Sequence, residues 1–177
     1  DILPISCELE SSFLQSCEIF LDHAKVDHTK CTISLNGRET AVRCYPISID
    51  VEELKGISDS PRALEYERRL RPLLGEKTII RVDRVEPSKN IVRGFRAYRV
   101  LLERNQDLIG KVKFLAFLVP SRTHIRQYQR YLQEVDALVS EINQTFGTKD
   151  WQPITVFYEN NYTQAMAAMK LYDVLLV

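Results

Sequence analysis

Val112-Lys113-Phe114-Leu115-Ala116-Phe117-Leu118-Val119 is an apolar run of strand length, interrupted by one lysine. A strand with one wet face alternates apolar and polar residues. A nearly continuous run instead points to burial on both faces, as in a parallel sheet covered by helices. The flanks repeat the pattern. Upstream, a β-rich run at 78–82 precedes a helical period through Ile91, Phe95, Tyr98 and Leu102, which predicts a helix over 91–104. Downstream, the pattern predicts a long helix over 125–146, a strand over 154–158, an Ala- and Met-rich helix over 163–171 and a strand over 174–177. Such strand–helix alternation predicts an α/β fold, a Rossmann-like parallel sheet with helices on both faces.

Ahead of this block, Leu9, Phe13, Leu14, Cys17, Phe20 and Leu21 recur at helical spacing, and residues 32–35 and 40–44 flank Asn36-Gly37, a tight hairpin turn. Tyr45-Pro46 then breaks the pattern. The expected domains are 1–46, ending one domain, and 47–177, opening another. Ser60-Pro61 reads as an N-cap and first-turn proline, and Gly75 as a stop. The implied helix over 61–74 buries Leu64, Leu70, Leu73 and Leu74, with Pro72 weakening its last turn.

The 177 residues carry 24 Lys and Arg against 24 Asp and Glu, which removes the electrostatic footprint of a nucleic-acid or anionic-membrane binder. The longest apolar run, 114–120, is too short to span a bilayer. With neither a signal-peptide pattern nor a lipidation motif, a cytoplasmic protein is expected. The chain opens on Asp1 and stops within the apolar run Val174-Leu175-Leu176-Val177, so a segment of a longer chain is expected. Cys7, Cys17, Cys31 and Cys44, with His23 and His28, lack the paired spacing of structural zinc and read as reduced core hydrophobes. No metal is expected. Arg62, Arg68, Arg69 and Arg71, then Arg93, Arg96, Arg99 and Arg104, are interspersed with Glu65, Glu67 and Glu103 and read as solvated helix faces.

Ligands of such sheets bind beyond the carboxyl ends of the strands. There the sequence places Arg84 and Lys89, five residues apart, before a helix start whose free N–H groups favour an anion. After the next strand come Pro120-Ser121-Arg122-Thr123-His124, with His124 a candidate acid or base by location only. After the third come Glu159-Asn160-Asn161-Tyr162. Cations at two neighbouring strand ends describe a site for a phosphorylated ligand. No Gly-rich cradle is present, which disfavours dinucleotide cofactors and P-loop phosphoryl transfer.

Val82-Asp83-Arg84-Val85-Glu86-Pro87-Ser88-Lys89, Val119-Pro120-Ser121-Arg122-Thr123, and Ile142-Asn143 with the stretch Phe146-Gly147-Thr148-Lys149-Asp150-Trp151-Gln152-Pro153-Ile154 resemble the trehalose-6-phosphate synthases. That family comprises retaining glycosyltransferases of the GT-B type, built from two Rossmann-like domains, and Tyr45-Pro46-Ile47-Ser48-Ile49-Asp50 resembles the start of its second domain. The resemblance implies transfer of glucose from a nucleotide sugar such as UDP-glucose to glucose 6-phosphate, giving trehalose 6-phosphate, without cofactor or metal. By position it implies that Arg84 and Lys89 hold the donor diphosphate and act in catalysis, that Asn161 lies where main-chain groups receive the base, and that Arg122 meets the acceptor phosphate. The implied partners are a nucleotide-sugar donor and a sugar-phosphate acceptor, with a homo-oligomer left open. The resemblance also implies missing parts before Asp1 and after Val177, and a segment inactive by itself. Glu86-Pro87 and Asn90 stand where the family usually has Asp-Tyr and Gly, and His124 where an acidic residue is common. Two alternatives therefore stay open: a related transferase with another phosphorylated acceptor, of the glucosylglycerol-phosphate type, or a non-catalytic sugar-phosphate-binding regulatory domain.

Overall fold

The computed structural model describes residues 7–46 and 48–177; residue 47, where the expected junction falls, and the side chain of Cys7 lie outside the described parts. The chain divides into two compact units, Asp1–Val51 and Glu52–Val177.

In the first unit, helix α1 (Cys7–Phe20) precedes an antiparallel sheet of β1 (Lys25–Asp27), β2 (Thr32–Leu35) and β3 (Arg38–Ala41). Asn36 and Gly37 both take positive φ, 51° and 78°, as the two-residue turn between β2 and β3 requires. Leu14, Cys17, Ile33 and Val42 form the core of this unit.

The second unit holds all but the first residue of α2 (Val51–Ser58), then α3 (Pro61–Leu70), β4 (Lys77–Val85), α4 (Ile91–Arg104), β5 (Val112–Pro120), α5 (Arg126–Phe146), β6 (Ile154–Phe157), α6 (Tyr162–Ala168) and β7 (Val174–Leu175). Its four strands are all parallel in the order β6-β5-β4-β7. One face packs on α4 and α5 around Phe95, Phe114, Leu118 and Ile142; the other buries Leu70, Ile80, Leu115 and Ala168 beside α3 and α6. Phe114 meets Phe95 and Tyr98 edge-on at 5.1 and 5.3 Å, a geometry the ring quadrupoles favour. The lysine that interrupts the β5 run is buried, which pulls its pKa down, and its Nζ donates to the carbonyl of Gln152 at 2.6 Å.

Ser60 caps α3, its hydroxyl accepting from the Ala63 N–H at 3.3 Å. The helix does not run to Gly75. It ends at Leu70 and tightens into a 3₁₀ turn, Arg71–Leu73, because Pro72 has no N–H to continue the ladder. Leu64 and Leu73, expected inside, are 43% and 37% exposed. The charged helix faces pair locally: Arg68 and Arg69 with Glu65, Arg71 with Glu67, and Arg99 with Glu103.

Among the described residues, no helix is long and apolar enough to cross a membrane, and no group of three His, Cys, Asp or Glu side chains is gathered to hold a metal.

Candidate functional site

From β4 the chain steps outward through β5 and β6, then returns to place β7 on the opposite side of β4. In open parallel sheets, ligands bind beyond the carboxyl ends of the strands where the strand order reverses. Here that point lies between β4 and β7. A cavity of about 490 Å³ opens there, lined by Arg81, Asp83, Lys89, Arg93, Gly94 and Leu176 among others. Its charged lining has three cations and one carboxylate.

Side chains alternate along β4, so Ile79, Arg81, Asp83 and Val85 share the face that packs on α4. Ile79 and Val85 enter the apolar core of that face. Between them, the buried Arg81 donates from Nε to Asp83 Oδ2 at 2.9 Å and from its terminal nitrogen to the main-chain carbonyl of Lys89. Lys89 Nζ stands 3.7 Å from the other oxygen of Asp83. Sequence reasoning passed over Arg81 because it lies inside the β-rich run 78–82. An arginine and an aspartate two apart on one strand face was the available signal.

Arg84 forms a separate arrangement. Its guanidinium lies 3.2 Å from Glu86 Oε1, the arginine side chain 61% exposed and the glutamate only 10%. Ser121, in the loop after β5, donates its hydroxyl to the same oxygen at 3.1 Å. Glu86 thus ties the end of β4 to the residue next to Arg122. This buried carboxylate was also missed, since in sequence it reads as an ordinary loop glutamate.

Arg122 adopts a positive φ of 47°, uncommon for a side chain with a Cβ and typical of turns. Its guanidinium donates to Tyr128 Oη at 2.9 Å and lies 5.4 Å from that ring's centroid. Tyr128, Ser121 and Thr123 line a second cavity of about 330 Å³. His124 is exposed in the same loop.

Asn161 caps α6, its Oδ1 accepting from the Gln164 N–H at 3.0 Å while its Nδ2 donates to Tyr66 Oη at 2.8 Å. That bond, together with the nearby Arg62 guanidinium, holds the Tyr66 hydroxyl below the usual tyrosine range. The predicted residues thus occupy three local networks at one edge of the sheet: Lys89 with Arg81 and Asp83, Arg84 and Ser121 joined through Glu86 beside Arg122, and Asn161 with Tyr66.

One expectation fails. The start of α4 does not offer its first N–H groups to an anion: Tyr131, reaching across from α5, accepts from the main-chain nitrogens of Ile91 at 2.9 Å and Val92 at 3.4 Å. An anion at this edge therefore meets side-chain cations and not the first amides of the helix.

The model of glycosyltransferase family 20 matches residues 7–177. The chain belongs to that family. A curated relative, the UDP-forming alpha,alpha-trehalose-phosphate synthase of Schizosaccharomyces pombe, is 32% identical over 93% of this chain and 32% of its own length. A crystal structure of a UDP-forming alpha,alpha-trehalose-phosphate synthase from Burkholderia xenovorans superposes with a TM-score of 0.82 at 26% identity, covering 98% of this chain and 39% of that one. A second structure from that organism, in complex with glucose 6-phosphate, gives a TM-score of 0.87 at 24% identity over 98% of this chain and 39% of that one, a likeness of fold. The family 20 chain described here spans about a third of the length of the curated relative.

Proposed function

We propose that this chain is part of a UDP-glucose-dependent transferase that makes trehalose 6-phosphate from glucose 6-phosphate. In this reading, residues 1–46 end the acceptor-side domain and 47–177 open the nucleotide-sugar domain. The observation that carries it is the presentation of Arg84 and Lys89. In a family 20 chain, Arg84 lies next to last in β4 and Lys89 just beyond the strand, each close to a largely buried carboxylate, with their side chains 61% and 42% exposed. The carboxylates orient the cations, and the exposed side chains remain available to a ligand.

The chemistry asks for this arrangement. As the glycosidic bond to the nucleotide breaks, negative charge grows on the leaving diphosphate. Cations already in position stabilise that charge more than they stabilise the intact donor, which lowers the barrier. Arg84 and Lys89 take this role, with no metal invoked. Arg122 meets the acceptor phosphate, for which a guanidinium offers paired donors. Asn161, by capping α6, fixes the main chain that receives the uracil. The acceptor hydroxyl attacks the anomeric carbon on the face that the diphosphate leaves. Its proton passes to the departing phosphate oxygen, so configuration is retained and UDP is released. The names of the relatives support UDP as the leaving nucleotide.

The test uses the natural polypeptide that contains residues 1–177, supplied with UDP-glucose. UDP release that depends on glucose 6-phosphate, with trehalose 6-phosphate as product, is the expected result. Turnover only with a different phosphorylated acceptor would replace the proposed reaction with that of a related transferase. Sugar-phosphate binding with no turnover would replace it with a regulatory role.

A further inference from the structure

We infer that Arg81 is a positioning residue for Lys89, a role that rests on the donor-site reading above and extends it to a residue with no assigned part. Asp83 carries one negative charge and has two cations beside it. Arg81 takes Oδ2 at hydrogen-bond distance with its side chain 4% exposed, whereas Lys89 stands 3.7 Å from Oδ1, beyond a hydrogen bond, with its side chain 42% exposed. The buried guanidinium therefore neutralises the carboxylate, and the ammonium of Lys89 keeps its charge for a ligand in the cavity they share.

Arg81 also acts on the main chain. Its terminal nitrogen donates to the carbonyl of Lys89, immediately before Asn90 turns through a positive φ of 52° into α4. This fixes the backbone from which the lysine projects. Room for the guanidinium comes from α4 itself: a Cβ at Gly94 would lie 2.7 Å from Arg81 Nη1. Strand, loop and helix thus each contribute to one arrangement, whose outcome is a lysine held near Asp83 without being captured by it.

The experiment titrates UDP into the natural polypeptide carrying residues 1–177 and its variants. Lys89→Ala removes a charge-assisted contact to phosphate and should weaken UDP about tenfold or more. Arg81→Met leaves Asp83 buried without its partner and can fail to fold. The double variant Arg81→Met with Asp83→Asn removes both charges and keeps the test open. It should weaken UDP several-fold, and Arg81→Lys should recover part of that loss. In a Lys89→Ala background the same double change should have no further effect, because residues acting as one unit are not additive. An equal loss with and without Lys89, or no loss in the double variant, would overturn the positioning role. Unchanged affinity in Lys89→Ala alone would overturn the donor site, and this role with it.

Discussion

The hydroxyl oxygen of Tyr131 on α5 lies 2.9 Å from the main-chain nitrogen of Ile91, the first residue of α4. A helix begins with amide N–H groups that have no partner within the helix, and a side chain usually meets this need from the residue just before it. Asn90 occupies that position in a left-handed conformation and makes no side-chain cap. A tyrosine forty residues away takes its place, and the loop carrying Lys89 is thereby secured to α5.

Replacing this tyrosine by phenylalanine keeps the ring and removes only the acceptor. Tyr131→Phe should cost about 1–2 kcal/mol, the range for losing a helix cap or leaving a buried N–H unpaired. Urea unfolding should show a lower midpoint with unchanged slope. An unaltered midpoint would mean that water satisfies these amides as well as the tyrosine does.

Tyr98 donates its hydroxyl to the carbonyl of Val112 at 2.6 Å in the core between α4 and β5. Burial pushes the pKa of this hydroxyl well up. A group whose folded pKa lies above its unfolded value contributes stability in full below the unfolded value, about 10 for tyrosine, and loses it as the pH rises beyond that. Stability should therefore fall as the pH is raised above about 10. Tyr98→Phe should be less stable at neutral pH and flatter across that alkaline range. Parallel curves for both proteins would contradict the assignment.

At the opposite end of the sheet, Asp173 joins β7 to β4. Its carboxylate accepts from Lys77 Nζ at 2.7 Å and from the Thr78 N–H at 2.8 Å, and these bonds, the lysine's first, hold its pKa below the usual value. A depressed carboxylate contributes stability above its unfolded pKa of about 4 and loses it as the pH falls through the lower folded value. Asp173→Asn should be destabilised at neutral pH, and its stability should vary less than wild type below about pH 4, followed by thermal unfolding across an acid series. Equal acid sensitivity would remove Asp173 from the account.

What the sequence revealed was local. Helix α4 begins and ends where the spacing of Ile91, Phe95, Tyr98 and Leu102 predicts, since its apolar period is unbroken. The Asn36-Gly37 turn was legible because few residue pairs accept two positive φ angles. Helix α2 was not read: it has no buried residue, so no apolar period marks it. Gly75 looked like a helix stop, but its place depends on a neighbour distant in sequence, since a Cβ there would collide with the carbonyl of Lys111. The candidate site divides in the same way. Arg84, Lys89, Arg122 and Asn161 could be named as candidates because each lies near the end of a strand or opens a helix. Arg81, Glu86 and Tyr131 could not, because what they do depends on partners that only folding brings near.

The central claim is that the cations at the end of β4 hold the diphosphate of a nucleotide sugar. Its most direct test is calorimetric titration of UDP-glucose into the natural polypeptide carrying residues 1–177, wild type against Arg84→Ala. Loss of a charge-assisted contact to phosphate predicts binding weaker by about tenfold or more, with the fold intact because the arginine side chain is largely exposed. Wild-type affinity in the Arg84→Ala protein would contradict the account.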